Sequence, residues 1–170
     1  GLGRIGKQVA KRLSAFDTET LYFDITQMSP EIEEEYNVKP VSLDELLRRS
    51  DIVSLHVPLN RHTRGMISTK ELEIMKTTAF IVSTCRGPVI DEKALYYALT
   101  SGKIAGAALD VLEEEPTPVN NPLFDLENVI VTPHMAGLTY EANLRAVEFG
   151  YANIKRALAG QTPESLVTPD

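Results

Sequence analysis

The sequence predicts a doubly wound parallel α/β sheet, and three observations carry that reading. Short apolar runs alternate with amphipathic helical patterns along nearly the whole chain, the rhythm of parallel strands joined by helices. The chain opens on Gly1-Leu2-Gly3-Arg4-Ile5-Gly6, a G-x-G-x-x-G pattern at the start of a helical stretch. An acidic residue, Asp24, then closes the next apolar run, with seventeen residues between it and Gly6.

Taken in order, the first helix should run from about Arg4 to Ala15, because Ile5, Val9 and Leu13 recur on one face. Strands are expected at Leu21–Asp24, Asp51–Leu55, Ala79–Thr84, Ile104–Leu109 and Val129–Thr132. Helix starts between them are well signalled. Ser42-x-x-Glu45 is a capping box with Val41 and Leu46 placed to staple it, and Ser68-x-x-Glu71 repeats the device with Ile67 and Leu72. Asp91 reads as the N-cap of a helix carrying Leu95, Tyr96 and Leu99. The last long helix spans about Tyr140 to Leu158, with Leu144, Val147, Tyr151, Ile154 and Leu158 along one side and Gly160 at its end. The tail Gln161–Asp170 has two prolines and no periodicity, and reads as a connection leading out of the domain. The strand that should feed Gly1 is not in the sequence, so the sheet is expected to lack its first strand.

Bulk properties bound the partners. A chain of 170 residues, 43% hydrophobic and 24% charged, can bury one substantial core. A net charge of -7 argues against nucleic acid, whose recognition is mainly electrostatic. No apolar run approaches the roughly 20 residues that cross a bilayer, so no membrane partner is expected. The single cysteine, Cys85, allows no internal disulfide and no cysteine metal cluster, and no metal site is expected. It fits a reducing compartment, hence a cytoplasmic location.

The glycine motif, the helix it opens, the strand after it and Asp24 together describe a Rossmann-type dinucleotide site. Gly1 permits the tight turn, Gly3 lets the backbone approach a pyrophosphate, and Gly6 lets helix and sheet lie close. Asp24 can accept hydrogen bonds from ribose hydroxyls and would repel a 2′-phosphate, while Ile25, Thr26 and Gln27 offer no positive charge to hold one. NAD is therefore expected over NADP.

Ligands of an open parallel sheet sit beyond the carboxyl ends of its strands. His56, Arg86, Asp110 and His134 all follow predicted strands at that edge, and Glu115 lies in the loop beyond Asp110. An arginine suits a carboxylate through its two-pronged geometry. A histidine oriented by a carboxylate can exchange a proton near neutral pH. Either residue could instead serve packing, capping or a structural ion pair, and Glu113-Glu114-Glu115 could be a solvated acidic loop. His56 and His62 read as structural or peripheral rather than as the base. Cys85 reads as a small residue packed beside the cofactor, since no partner supports a nucleophile.

Here the sequence resembles the D-isomer-specific 2-hydroxyacid dehydrogenase family. The matching stretches are the glycine motif, Leu55-His56-Val57-Pro58-Leu59, Ser83-Thr84-Cys85-Arg86-Gly87, Gly106-Ala107-Ala108-Leu109-Asp110-Val111, Glu114-Glu115-Pro116 and Thr132-Pro133-His134. They occur in the family's order and cover nearly the whole chain. The resemblance implies an NAD-binding domain over residues 1–139, with residues 140–170 leading back to a substrate domain that is mostly absent. It implies that Arg86 anchors the substrate carboxylate and carbonyl, that His134 is the acid/base, and that Glu115 pairs with it. Gly1, Gly3, Arg4, Ile5, Gly6, Asp24, Val57, Pro58, Thr63, Cys85, Arg86, Asp110, His134 and Gly137 fall where the family meets NAD, Asp110 on the nicotinamide side. A small 2-hydroxy or 2-oxo acid is the implied substrate and a homodimer the implied assembly. Pro88 stands where the family has a more flexible residue, and Cys85 replaces the usual alanine or serine.

Two relatives within the resemblance point elsewhere. Formate dehydrogenases pair their histidine with glutamine, which Glu115 argues against. The C-terminal-binding-protein corepressors, NAD(H)-sensing binding proteins, carry a tryptophan shortly after the histidine; here the stretch is His134-Met135-Ala136-Gly137, and the chain has no tryptophan.

Overall fold

A computed structural model, describing residues 1–166, contains six helices and six strands in near alternation. The helices are α1 (Arg4–Leu13), α2 (Pro30–Tyr36), α3 (Leu43–Arg49), α4 (Thr69–Glu73), α5 (Glu92–Thr100) and α6 (Tyr140–Leu158). The strands are β1 (Thr20–Tyr22), β2 (Val38–Pro40), β3 (Ile52–Leu55), β4 (Phe80–Ser83), β5 (Gly106–Leu109) and β6 (Val129–Val131). Every strand pairing is parallel, in a two-stranded sheet β1-β2 and a four-stranded sheet β3-β4-β5-β6. The predicted parallel α/β class holds. The chain divides into two compact units, Gly1–His134 and a second beginning at Met135.

In the first unit the period-two alternation of strand side chains sorts the larger sheet into two faces. Val53, Leu55, Ile81, Ala107 and Leu109 are buried in one core with Leu47, Leu72, Leu95, Leu99 and Ile104. Ile52, Phe80 and Ile130 occupy the other face and are exposed. The starts of α4 and α5 carry the expected chemistry, while at α3 the box is half closed, Glu45 pairing with Arg49 instead. Ser42 accepts from the Glu45 amide at 3.2 Å, and Asp91 accepts from the Ala94 amide at 3.0 Å. At α4 the Ser68 amide donates to Glu71 Oε2 at 3.1 Å, while the Ser68 hydroxyl donates to Asp91, so the two helix starts are tied together.

Between β1 and β3 lies a cleft of about 470 Å³, lined by Gly1, Val9, Leu21, Tyr22, Ile52 and Val53 among others. Gly1 sits at its end, donating to Phe23 O at 2.7 Å, and a Cβ on Gly1 would stand 2.9 Å from the His56 carbonyl.

Three local expectations need correction. α1 ends at Leu13 rather than Ala15, and Ser14–Phe16 tightens into a 3₁₀ turn before Asp17 in the left-handed region. β1 stops at Tyr22, because Asp24 turns out of the ladder to accept from the Leu2 and Thr26 amides. α2 and β2 carry no pattern that predicts them: four of the seven residues of α2 are glutamate with no apolar stripe, and β2 is three residues long. The signal that was available is Ser29-Pro30 at the start and Asn37, left-handed at φ 49°, at the end.

In the second unit, Thr139 caps α6 by accepting from the Ala142 amide at 3.1 Å, and the helix runs 19 residues, as expected. Its apolar residues Leu144, Val147, Tyr151, Ile154 and Leu158 are all exposed. Beyond Gly160, which adopts φ 71°, Asn153 and Arg156 bind the returning chain at Glu164 and Thr162. The last residues of the tail, 167–170, lie outside the described residues.

Candidate active site

The register of the larger sheet assembles the site. Leu55, Ser83, Leu109 and Val131 lie side by side across β3 to β6. The residues that follow them therefore leave at one edge: His56 to Pro58, Thr84 to Arg86, Asp110, and Thr132 to His134. Parallel pairing makes this placement unavoidable, since all four strands end in the same direction.

At the glycine motif, close approach explains two of the three glycines. A Cβ at Gly6 would stand 2.2 Å from Gly1 O, a distance no real side chain keeps. A Cβ at Gly3 would meet nothing within 4 Å, leaving the space in front of the α1 N-terminus open. No acidic side chain occupies the first turn of α1, so its unpaired amides face that space without a competing carboxylate. Asp24 stands beside it, Oδ2 accepting from the Leu2 amide at 2.7 Å.

A second cleft, of about 620 Å³, continues along the sheet edge and is lined by Arg4, Ile5, His56, Val57, Pro58, Leu59, Thr84, Cys85 and Arg86. Thr63 supports its wall, donating to Pro58 O at 2.6 Å and accepting from the Asn60 amide. Cys85 is buried, its sulfur 3.3 Å from the Ser83 hydroxyl. Arg86 is exposed and donates to Cys85 O at 2.6 Å.

Opposite, His134 Nδ1 lies 2.8 Å from Glu115 Oε2, and Glu115 Oε1 accepts from the Leu112 amide at 3.2 Å. Of the three consecutive glutamates, Glu115 is thus the one paired with the histidine. His134 sits at φ 52°, uncommon for a residue with a side chain, and its amide donates to Asp110 O at 2.8 Å. Asp110 is buried and its carboxylate accepts from the Thr132 hydroxyl at 2.5 Å. Thr132 joins the site through that contact, which its place in the Thr132-Pro133-His134 motif does not announce and which ties the end of β6 to the end of β5.

His56 keeps apart from this pair. Its Nε2 bonds the Ser54 hydroxyl at 2.9 Å and its Nδ1 is buried without a protein partner. His62 is exposed and bonded to Arg61. Gly137 belongs to the second unit, in the turn before α6. Among the described residues no cluster of three potential ligands could hold a metal ion, and no helix is long and apolar enough to cross a membrane.

The parallel sheet, the glycine turn against α1 and Asp24 beside it define the class: a Rossmann-type dinucleotide-binding domain. Comparison with known proteins then places it. The model of the D-isomer specific 2-hydroxyacid dehydrogenase NAD binding domain matches residues 1–136, and the chain belongs to that family. The chain is 47% identical over 170 residues to a glyoxylate reductase of Thermofilum pendens, covering all of this chain and 50% of that protein. Among solved structures it is similar to the holo form of Rhodotorula graminis D-mandelate dehydrogenase, with a TM-score of 0.91 and 37% identity over 99% of this chain and 50% of that one. It is also similar to Lactobacillus jensenii D-lactate dehydrogenase with NAD+, with a TM-score of 0.89 and 32% identity over 99% of this chain and 54% of that one. The chain spans about half the length of the curated relatives it matches. NAD is the cofactor of the domain, and the open space at Gly3 and the carboxylate at Asp24 fit it.

Proposed function

We propose that the protein to which this domain belongs interconverts a small D-2-hydroxy acid and its 2-oxo acid. The single observation that carries the reading is the 2.8 Å contact between His134 and Glu115 at the sheet edge that also carries Arg86. The bound nicotinamide supplies or accepts hydride at the substrate's C2. The other roles belong to this chain.

Arg86 holds the carboxylate with two donors and polarises the adjacent carbonyl. Releasing its bond to Cys85 O frees the guanidinium for that task. Glu115 accepts from Nδ1 of His134, which fixes the ring and leaves Nε2 to exchange a proton with the substrate oxygen. In reduction His134 donates that proton as negative charge builds on the oxygen, and Glu115 stabilises the protonated ring beforehand. In oxidation His134 takes the proton back. Asp110, held by Thr132, presents its end of β5 toward the nicotinamide side. Asp24 recognises the adenosine ribose, and its charge disfavours a 2′-phosphate. The assembly is proposed to be a homodimer in the cytoplasm.

The test follows NADH absorbance in the natural-length protein with glyoxylate, hydroxypyruvate, pyruvate and phosphohydroxypyruvate, each repeated with NADPH. Glyoxylate leads the panel because several relatives are named glyoxylate reductases. Turnover of one substrate with NADH preferred is the expected result. Tight NADH binding with no turnover on any of them would overturn the proposal in favour of a sensor.

A further inference from the structure

Glu115 reaches His134 from a loop, and that loop is held by a residue that touches neither. Glu92, the first residue of α5, places one carboxylate oxygen on each end of the segment. Its Oε2 accepts from the Glu113 amide at 2.6 Å, and its Oε1 accepts from Asn121 Nδ2 at 2.6 Å. The Asn121 amide cannot turn over to suit another partner, because its Oδ1 caps the following turn by accepting from the Leu123 amide at 2.9 Å. Leu123 and, on α5, Leu95 are fully buried, and Leu99 on the same helix is buried. Both supports of the clamp are therefore rooted in the core.

The near end of the loop is constrained from a second side. Gly87 lies under it so closely that a Cβ would stand 1.8 Å from Leu112 O and 2.5 Å from Glu113 N. Leu112 in turn donates its amide to Glu115 Oε1. The segment from Arg86 to Glu92 thus supports the backbone that aims Glu115. We infer that Glu92 is a positioning residue for the acid/base pair, setting the Glu115 loop through the Glu113 amide and Asn121 so that Glu115 meets His134. The consequence for turnover rests on the reaction proposed above; the clamp itself does not.

A carboxylate is required because both neighbours are donors. In Glu92→Gln the amide oxygen can satisfy only one of them, and its NH₂ faces the other donor. The first measurement is amide hydrogen exchange in the natural-length protein. Exchange at Glu113 and across residues 112–121 is expected to accelerate in E92Q while α5 remains protected. Unchanged exchange in that loop overturns the clamp, whatever the enzyme does. The second is kinetic. E92Q is expected to lower kcat by about tenfold with the NADH dissociation constant unchanged, and to have no further effect in an E115Q background. An equal loss in both backgrounds would show that Glu92 does not act through Glu115. A wild-type protein without oxo-acid turnover would instead sink the proposed reaction, with the exchange result still deciding the clamp.

Discussion

His134 adopts a left-handed backbone conformation, uncommon for a residue with a side chain although histidine tolerates it better than most. Its amide is held by Asp110 O and Thr132 O, and its ring lies against Glu115. If that ring exchanges the substrate proton, His134→Ala should lower turnover by roughly 10² to 10⁴, the usual scale for a general acid/base, with little change in NADH affinity. Wild-type turnover in the variant would remove His134 from the mechanism. His56 makes a different prediction. Burial holds it below the ordinary histidine range near 6.5. Its unfolded form therefore takes up a proton before its folded form does. The stability it contributes is whole above about pH 6.5 and is lost as pH falls through the lower folded value. Urea midpoints at about pH 7.5 and about pH 5 should converge in His56→Asn relative to wild type. An unaltered gap would mean that other groups carry the acid sensitivity.

At the scale of elements, the site depends on backbones that approach where a side chain would intrude. Gly87 shows this most sharply, since it adopts no left-handed angle and its need for glycine is purely steric. Gly87→Ala is expected to cost about 1 to 3 kcal/mol in denaturant unfolding, because Leu112 and Glu113 must shift to admit the methyl. Stability equal to wild type would show that the loop over Gly87 yields freely. The same scale explains what the sequence concealed. α3, α4 and α5 start with caps that name themselves, whereas among the described residues α2 buries none of its own and β2 pairs only with β1. Neither carries the hydrophobic periodicity from which elements are read.

For the whole molecule, cofactor binding is linked to folding. A ligand that binds only the folded state stabilises it by about 2.7 kcal/mol at roughly 100 times its dissociation constant. NADH is therefore expected to raise the melting temperature in a concentration-dependent way. If Asp24 meets the adenosine ribose as proposed above, NADPH at equal concentration should do so much less. Equal shifts with both would overturn the cofactor preference read from that residue. The measurement needs no substrate, so it separates the cofactor reading from the catalytic one.

The order of helices and strands apart from α2 and β2, the glycine turn, the acidic residue beside it and the residue types at the strand ends were legible in the sequence. Each is local: caps, periodicity and turn chemistry act over a few residues, and parallel strands of one sheet deliver whatever follows them to one edge. What the tertiary structure decided is which of those residues meet. The motif ending in Pro116 already marks Glu115 among three consecutive glutamates, but the contact itself across nineteen positions is made by the folded loop, held by Glu92 and seated on Gly87. The Thr132 bond to Asp110 and the buried nitrogen of His56 are likewise contacts between residues whose spacing carries no signal. Such contacts form once the strands are in register, and the register depends on the whole core rather than on any single segment.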